Sequence, residues 1–374
     1  MMFISRALLL FLIPLFSYAT PVRVLLDQKK TGTWRLSARR GFRLRDRTTD
    51  RELTLKQTRN ILTLTCKPDG VYLDNKKLCV DNMLFEPIDG IVQFGSGVYE
   101  GAFYLQKDKQ RYLLINILPL ENYVYSVLKT ESWPGWPLEV NKVMAIASRT
   151  YLLHRLFSSR IQDNHYHIKN TNYHQTYTGM HDCPVIRQAV HETRDVFLSH
   201  EGKPILAMFD SCCGGIAPSS ITGMIDFKKA PYLERSYKCH YCRSCKLFTW
   251  SALYELDHFI DLLQEGTNTI IHDIKTVKVT QKKAGFVKDI QINTLRGLLA
   301  FDSQDFYRLF KEVKSYSFSV KKQGTKIAVN GKGYGHHIGL CQWGAREMVN
   351  KGFNYKKILE FYYPKTTFMK LERK

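Results

Sequence analysis

Alternating apolar and polar side chains dominate the chain from residue 20 to about residue 118 and predict a β-rich region. Residues 62–65 alternate strictly, and a Pro-Asp-Gly turn then leads into a second β-prone run at residues 71–73. Two further strands are predicted at residues 103–105 and 112–116, on either side of a polar turn. The first third of the chain should therefore be built mainly from strands.

An apolar stripe at helical spacing then predicts a helix that begins after Pro119. The stripe is formed by Leu120, Val124, Val127 and Leu128. A second helix is predicted from about Leu138. Residues 158–182 are polar and rich in His and Asn, which favours a loop, and residues 190–207 predict a helix end, a hairpin and a strand.

The N-terminus has the three parts of a secretory signal peptide. Arg6 supplies the positive charge, residues 7–16 are apolar, and residues 17–19 form a small-x-small cleavage site. The alternative is a buried N-terminal helix. Beyond this segment no run approaches the roughly 18 apolar residues of a membrane span, so none is expected after cleavage. The sequence predicts export to the periplasm or cell envelope.

The chain has 374 residues and a formal net charge of +21. Such an excess attracts polyanions, namely nucleic acid, an anionic membrane or an acidic glycan. Export makes nucleic acid the weakest of these, so no nucleic-acid partner is expected. Peptidoglycan strands without stem peptides expose a lactyl carboxylate on each muramic acid and fit a basic surface. Charge alone does not separate this interpretation from simple solubility.

Glu131 is the candidate catalytic residue. It follows Val127 by four positions and Leu128 by three, which places it on the apolar face of the first predicted helix. Partial desolvation there should raise the pKa of the carboxyl group, as a general acid needs. Trp133 and Trp136 follow and offer faces for sugar rings. The alternative is a glutamate at a frayed helix end beside core tryptophans.

Several ordered segments resemble the sporulation stage II protein D (SpoIID) family. The similar segments are residues 118–123 (LPLENY), Glu131, residues 147–151 (ASRTY), 173–179 (YHQTYTG), 210–215 (DSCCGG), 333–345 (GYGHHIGLCQWGA) and 358–364 (ILEFYYP). The chain departs from the family pattern at Asp210, His337 and Cys341, where the family has His, Gly and Ser.

The resemblance implies a peptidoglycan lytic transglycosylase that acts on peptide-free strands, with Glu131 as its acid and base. It would cleave the MurNAc-GlcNAc bond and leave a 1,6-anhydroMurNAc end, without a cofactor. No convincing second carboxylate lies near Glu131 in the sequence, which a hydrolase would need. A cell-wall amidase is the implied functional partner. The expected substrate-binding residues are Arg149, Tyr151, Gln175, Tyr177, Ser211, His336, Gln342 and Trp343.

Alternatives stay open for these residues: a structural ion pair for Arg149, core packing for Trp343 and ordinary loop hydrogen bonds for the polar residues. The whole protein has two alternatives as well. One is a glycan-binding or amidase-enhancing protein without catalysis, and the other is a basic zinc-cluster protein that binds nucleic acid in the cytoplasm.

We expect an α+β fold with a β-rich N-terminal part, a helical catalytic region and a substrate cleft between subdomains. The predicted parts are a signal peptide (residues 1–19), a β-rich domain (20–95), a SpoIID-type catalytic domain (96–366) and a basic tail (367–374). Within the catalytic domain we expect a helical core at about 119–157 and a less regular α/β insert at about 246–325.

The nine cysteines include a C-x-x-C-x-x-C run at Cys239, Cys242 and Cys245. Two-residue spacing lets thiolates converge on one tetrahedral Zn²⁺, and Cys213 would be the fourth ligand from its Gly-rich turn. A structural zinc is therefore predicted. Disulfides are the alternative, because an exported protein occupies an oxidising compartment. A separate disulfide between Cys66 and Cys79 is a further expectation.

Overall fold

A computed structural model describes residues 21–53, 59–78, 81–133, 135–158, 165–171, 174–221, 225–281 and 285–372. The chain divides into two compact units. Unit 1 comprises Met1–Pro134, Ser148–Pro204 and Phe368–Lys374, and unit 2 comprises Gly135–Ala147 and Ile205–Thr367. The predicted signal peptide and Cys79 lie outside the described residues.

Unit 1 is built around two sheets that are largely antiparallel. The first has the order β13-β1-β12-β11-β8-β3-β4 and the second β10-β9-β2-β5-β6-β7. The strands are β1 (Val22–Lys29), β2 (Gly32–Ser37), β3 (Phe42–Asp46), β4 (Glu52–Leu53), β5 (Ile61–Lys67), β6 (Gly70–Leu73), β7 (Lys76–Lys77), β8 (Asn82–Pro87), β9 (Ile91–Phe94), β10 (Gly97–Glu100), β11 (Ala102–Asp108), β12 (Arg111–Leu118) and β13 (Ile168–Lys169).

The helices of unit 1 include the one that ends at Glu131. The elements are α1 (Leu120–Glu131), α2 (Leu138–Phe157), α3 (Pro184–Glu192) and a small sheet of β14 (Val196–His200), β15 (Lys203–Pro204) and β24 (Thr367–Lys370). Pro119 precedes α1 at φ −62°, which is the value that its ring imposes and that suits a helix start. The boundary between the two units falls within α2, between residues 147 and 148.

Unit 2 contains the remaining strands, helices and 3-10 turns. These are β16 (Phe209–Asp210), β17 (Thr249–Glu255), α4 (Leu256–Thr267), β18 (Ile274–Gln281), β19 (Val287–Thr294), β20 (Gly297–Asp302), α5 (Ser303–Leu309), β21 (Phe318–Gln323), β22 (Lys326–Lys332), β23 (Leu340–Cys341), α6 (Gln342–Asn350), α7 (Tyr355–Tyr362) and the 3-10 turns Pro218–Ser220, Pro231–Leu233 and Tyr241–Ser244. Phe259, Phe306 and Phe310 are fully buried and form an aromatic centre for the part between residues 250 and 330.

The structure confirms mixed α and β composition and a β-rich N-terminal part. The predicted domain boundary near residue 95 falls in the turn between the paired strands β9 and β10, inside unit 1, and the chain is not divided there. The predicted substrate cleft stays a prediction. Within the described residues, no helix combines the length and the apolar character that crossing a bilayer requires.

Candidate functional site

Glu131 is the last residue of α1, and its side chain is half-buried. Burial raises the pKa of Glu131 above its usual value. The helix dipole also disfavours the ionised form, because the carboxyl group lies at the negative end of α1. The amide N–H of Thr176 acts in the opposite direction by donating a hydrogen bond to Oε1 of Glu131 at 2.5 Å. The carboxyl group is thus shielded from water and held in one position.

The segment that contacts Glu131 is attached to α1 at a second point. The hydroxyl of Thr130 donates a hydrogen bond to the carbonyl of Thr176 at 2.5 Å. Thr176 therefore meets the end of α1 through both its N–H and its carbonyl group. The sequence pointed to the neighbours of Thr176 and missed Thr176 itself.

Gln175 and Tyr177, which were predicted to bind sugar, are buried. Oε1 of Gln175 accepts a hydrogen bond from the Tyr123 hydroxyl at 2.9 Å, and the Tyr177 hydroxyl donates to Oδ1 of Asn116 at 2.5 Å. The Tyr123 and Tyr177 rings stack with their centroids 5.6 Å apart. These contacts fix the segment that carries Thr176, and sugar binding by Gln175 and Tyr177 stays a prediction.

Arg149 is fully buried, and its role as a substrate ligand stays a prediction. Its guanidinium donates to both carboxylate oxygens of Glu121, at 2.9 and 2.6 Å, and to the carbonyl of Val196 at 3.0 Å. Glu121 also accepts a hydrogen bond from the Asp195 amide at 3.2 Å. This geometry fits the alternative of a structural ion pair. Tyr151 is half-buried, and its role as a sugar ligand stays a prediction.

The predicted site residues of unit 2 gather near the start of α6. Trp343 packs edge-to-face against Trp136, with centroids 5.5 Å apart, and its amide donates to the carbonyl of Ser211 at 3.1 Å. Gln342 is buried, while Ser211 and His336 are half-buried. Shielding from solvent lowers the pKa of His336 to about 4, which leaves the ring neutral at physiological pH. Contacts between these residues and sugar stay predictions.

The tryptophans that follow Glu131 differ in exposure. Trp133 is 57% exposed, whereas Trp136 is 8% exposed because it packs against Trp343. The expectation that both faces are open to sugars is therefore wrong for Trp136.

Two departures from the family pattern contact each other. The carboxylate of Asp210 accepts a hydrogen bond from the His337 amide at 2.7 Å, and Nδ1 of His337 lies 3.0 Å from the Cys213 carbonyl. His337 has a φ of 65°, in the region that favours glycine. The backbone thus keeps a glycine-like conformation although a histidine stands there.

Four buried cysteines form a cluster in unit 2. Sγ atoms of Cys213, Cys239, Cys242 and Cys341 all lie within 4.8 Å of one another. Three of these were predicted ligands, but Cys341 takes the place expected for Cys245. Because Cys341 was treated only as a departure from the family pattern, its position in the cluster was missed.

The region around Glu131 also matches a family by sequence. A model described as Stage II sporulation protein (SpoIID) matches residues 108–200, which include Glu131 and Thr176. Stage II sporulation protein D of Bacillus subtilis is 24% identical over 266 residues, covering 67% of this chain and 74% of that protein. These matches support the SpoIID family for this chain.

Two other relatives are similar to large parts of the chain. An uncharacterized protein of Brachyspira hyodysenteriae is 29% identical over 318 residues, covering 83% of this chain and 80% of that protein. The amidase enhancer of Bacillus subtilis is 27% identical over 288 residues, which are 64% of this chain but 39% of the enhancer. Residues 232–339 match a domain of unknown function, DUF8618. These relatives support a cell-wall-related SpoIID function.

Proposed function

We propose that the chain is an exported lytic transglycosylase that cleaves MurNAc-GlcNAc bonds in peptide-free peptidoglycan strands. The observation that supports this most strongly is the state of Glu131. It is a half-buried carboxyl group with a raised pKa, fixed by a main-chain amide, inside the SpoIID-matched segment. A general acid at the pH of the cell envelope needs this combination.

Glu131 serves in turn as acid and base. Protonated Glu131 donates its proton to the glycosidic oxygen, and the bond from that oxygen to C1 of MurNAc breaks. The ionised carboxylate then takes the proton of the MurNAc C6 hydroxyl, whose oxygen bonds to C1. The product is a 1,6-anhydro sugar, the carboxyl group is protonated again, and no water is consumed.

The amide of Thr176 favours the ionised form of Glu131 that exists between the two proton transfers. Burial favours the protonated form with which the cycle begins. The two opposing influences keep both forms of the carboxyl group accessible during turnover, as a residue that must both give and take a proton requires.

Trp133 supplies a sugar contact in this proposal. Its ring is the exposed aromatic surface two residues after Glu131. The net charge of +21 draws the chain to strands that carry lactyl carboxylates. Trp133→Ala should raise the KM for denuded strands while Glu131 retains its raised pKa.

The test is Glu131→Gln, which keeps the side-chain shape and removes the proton relay. The variant should lose anhydro product by at least about 100-fold on denuded strands. Glu360→Gln is the matched control, because Glu360 is an exposed glutamate on α7 paired with Lys357. Mass spectrometry after reaction in ¹⁸O-labelled water separates the possible outcomes. Unlabelled anhydro ends support a lyase, labelled reducing ends indicate a hydrolase, and undiminished activity in Glu131→Gln overturns the assignment.

Similarity to an amidase enhancer supports a second candidate, in which the chain stimulates a cell-wall amidase without cutting strands. Adding the wild-type chain and Glu131→Gln to an amidase digest of intact peptidoglycan distinguishes the two. Equal stimulation by both, without anhydro ends from either, favours the enhancer.

A further inference from the structure

We propose that Cys213, Cys239, Cys242 and Cys341 bind one zinc ion as a closed four-thiolate site. All four side chains are at most 2% exposed, and their sulfur atoms converge within 4.8 Å of one another. This inference does not depend on the chemistry assigned to Glu131, and its test uses no activity measurement.

The sulfur spacing fits a metal site better than disulfides. Sγ atoms of Cys213 and Cys242 lie 3.6 Å apart. Tetrahedral zinc with bonds of about 2.3 Å places its sulfur ligands about 3.8 Å apart. A disulfide requires about 2.05 Å. Disulfides would bring the sulfur atoms together only in pairs, whereas all four lie close to one another.

The surroundings are shaped to hold the sulfur atoms. A Cβ added at Gly344 would overlap the Tyr362 hydroxyl and would come within 2.8 Å of the Cys239 sulfur and 3.3 Å of the Cys341 sulfur. Position 344 therefore leaves room for the cluster because it has no side chain. The hydroxyl of Tyr362 lies 3.2 Å from the Cys239 sulfur and borders the same space.

Main-chain donors point at one of the sulfurs. Cys341 is the N-cap residue of α6, and its Sγ accepts hydrogen bonds from the amides of Gly344 and Cys213, both at 3.3 Å. These N–H groups hold the Cys341 sulfur atom in one position within the cluster. Such contacts to a ligand atom are typical of metal sites.

The fourth ligand is Cys341 and not Cys245. The Cys245 sulfur lies outside the group whose members are all within 4.8 Å of one another, and it accepts a hydrogen bond from the Leu247 amide at 3.2 Å. Ligation by Cys341 joins three separate stretches of unit 2: the turn after β16, residues 239–242 and the start of α6. The ion would thereby fix Gln342 and Trp343, which directly follow its fourth ligand. Four thiolates complete the tetrahedral shell, so the role is structural.

The test measures zinc in the full-length chain purified without chelator, by elemental mass spectrometry. Wild type should contain about one zinc per chain, and Co²⁺ in its place should give the intense thiolate-to-metal bands of a four-sulfur site. Cys341→Ser should lose at least about 10-fold in bound zinc at limiting metal, while the matched control Cys245→Ser keeps wild-type zinc.

Two results would overturn the inference. One is a wild-type chain without zinc whose cluster cysteines are oxidised to disulfides. The other is loss of zinc in Cys245→Ser with retention in Cys341→Ser. If Cys341→Ser does not fold, the wild-type and Cys245→Ser chains decide. One zinc per chain in both proteins supports the proposed site, and absence of zinc from either protein refutes the proposal.

Discussion

Replacing Glu121 with glutamine should destabilise unit 1 strongly, although Glu121 lies at the start of a helix where substitutions are often mild. Its side chain is 13% exposed, and it holds the guanidinium of Arg149, which is fully buried. Glutamine keeps one oxygen acceptor for Arg149 but leaves the buried positive charge without a counter-charge. The Asp195 amide also loses a charged acceptor.

The magnitude follows from the burial of the pair. Removing one partner of a buried ion pair costs about 3–5 kcal/mol, because the other charge stays desolvated. Glutamine retains part of the hydrogen bonding, so we expect about 3 kcal/mol for Glu121→Gln. For a unit of this size, each kcal/mol lowers the melting temperature by about 2–4 °C, which predicts a decrease of about 6–12 °C.

The assay is differential scanning calorimetry of the full-length chain. Asp182→Asn is the control within the same unit, because Asp182 and Arg187 form an exposed pair at 3.9 Å with side chains 95% and 63% exposed. Breaking an exposed pair should cost less than about 1 kcal/mol. The double change Glu121→Leu and Arg149→Met should recover much of the loss, because it removes both buried charges together.

A melting temperature within about 2 °C of wild type for Glu121→Gln would refute this reasoning, since the pair would then contribute no more than a surface contact. The same experiment bears on substrate binding. If Arg149 held a lactyl carboxylate, Glu121→Gln would free its guanidinium and lower the KM for denuded strands. A structural pair predicts an unchanged KM at temperatures where the variant stays folded.

Three further outcomes are expected. The kcat/KM for denuded strands should fall about tenfold per pH unit as the pH rises above the raised pKa of Glu131, because the first step needs the protonated acid. A pH-rate profile without this decline contradicts the proposed mechanism. Tyr177→Phe leaves Oδ1 of Asn116 without its buried donor and should cost about 1–3 kcal/mol in urea unfolding, with little change in kcat. Gly344→Ala should lower both the melting temperature and the zinc content, because its methyl group would collide with a tyrosine hydroxyl and a cysteine sulfur; an alanine variant with unaltered zinc would count against the crowded site.

Local patterns were enough to predict the main elements of the chain. The stripe of Val124, Val127 and Leu128 is fully buried on α1, as its helical spacing predicted, and Pro119 precedes the helix. Strands at residues 62–65 and 112–116 were likewise signalled by their apolar residues. The division into units was not predictable in the same way. Unit 1 combines segments distant in sequence, and periodicity contains no information about which segments pack together.

The candidate site shows a similar limit. Glu131 could be proposed from the sequence because its spacing is local to one helix, whereas the partner of Arg149 lies 28 positions away and no short pattern identifies it. Cys341 follows the C-x-x-C-x-x-C run by nearly a hundred residues, so spacing favoured the adjacent Cys245. The replacement of a family serine by Cys341 was the available signal. Thr176 was missed because its hydrogen bond to Glu131 through the peptide N–H could be formed by almost any residue at that position.

That peptide contact has a consequence for mutational tolerance. Nineteen of the twenty encoded amino acids supply the same N–H, and only proline lacks it. A saturation library at position 176 should therefore keep the hydrogen bond to Glu131 in every other folded member. Substitutions at this position would then retune the acidity of Glu131 only through the threonine hydroxyl, whose hydrogen bond also lowers the pKa of the carboxyl group, while the main-chain contact persists.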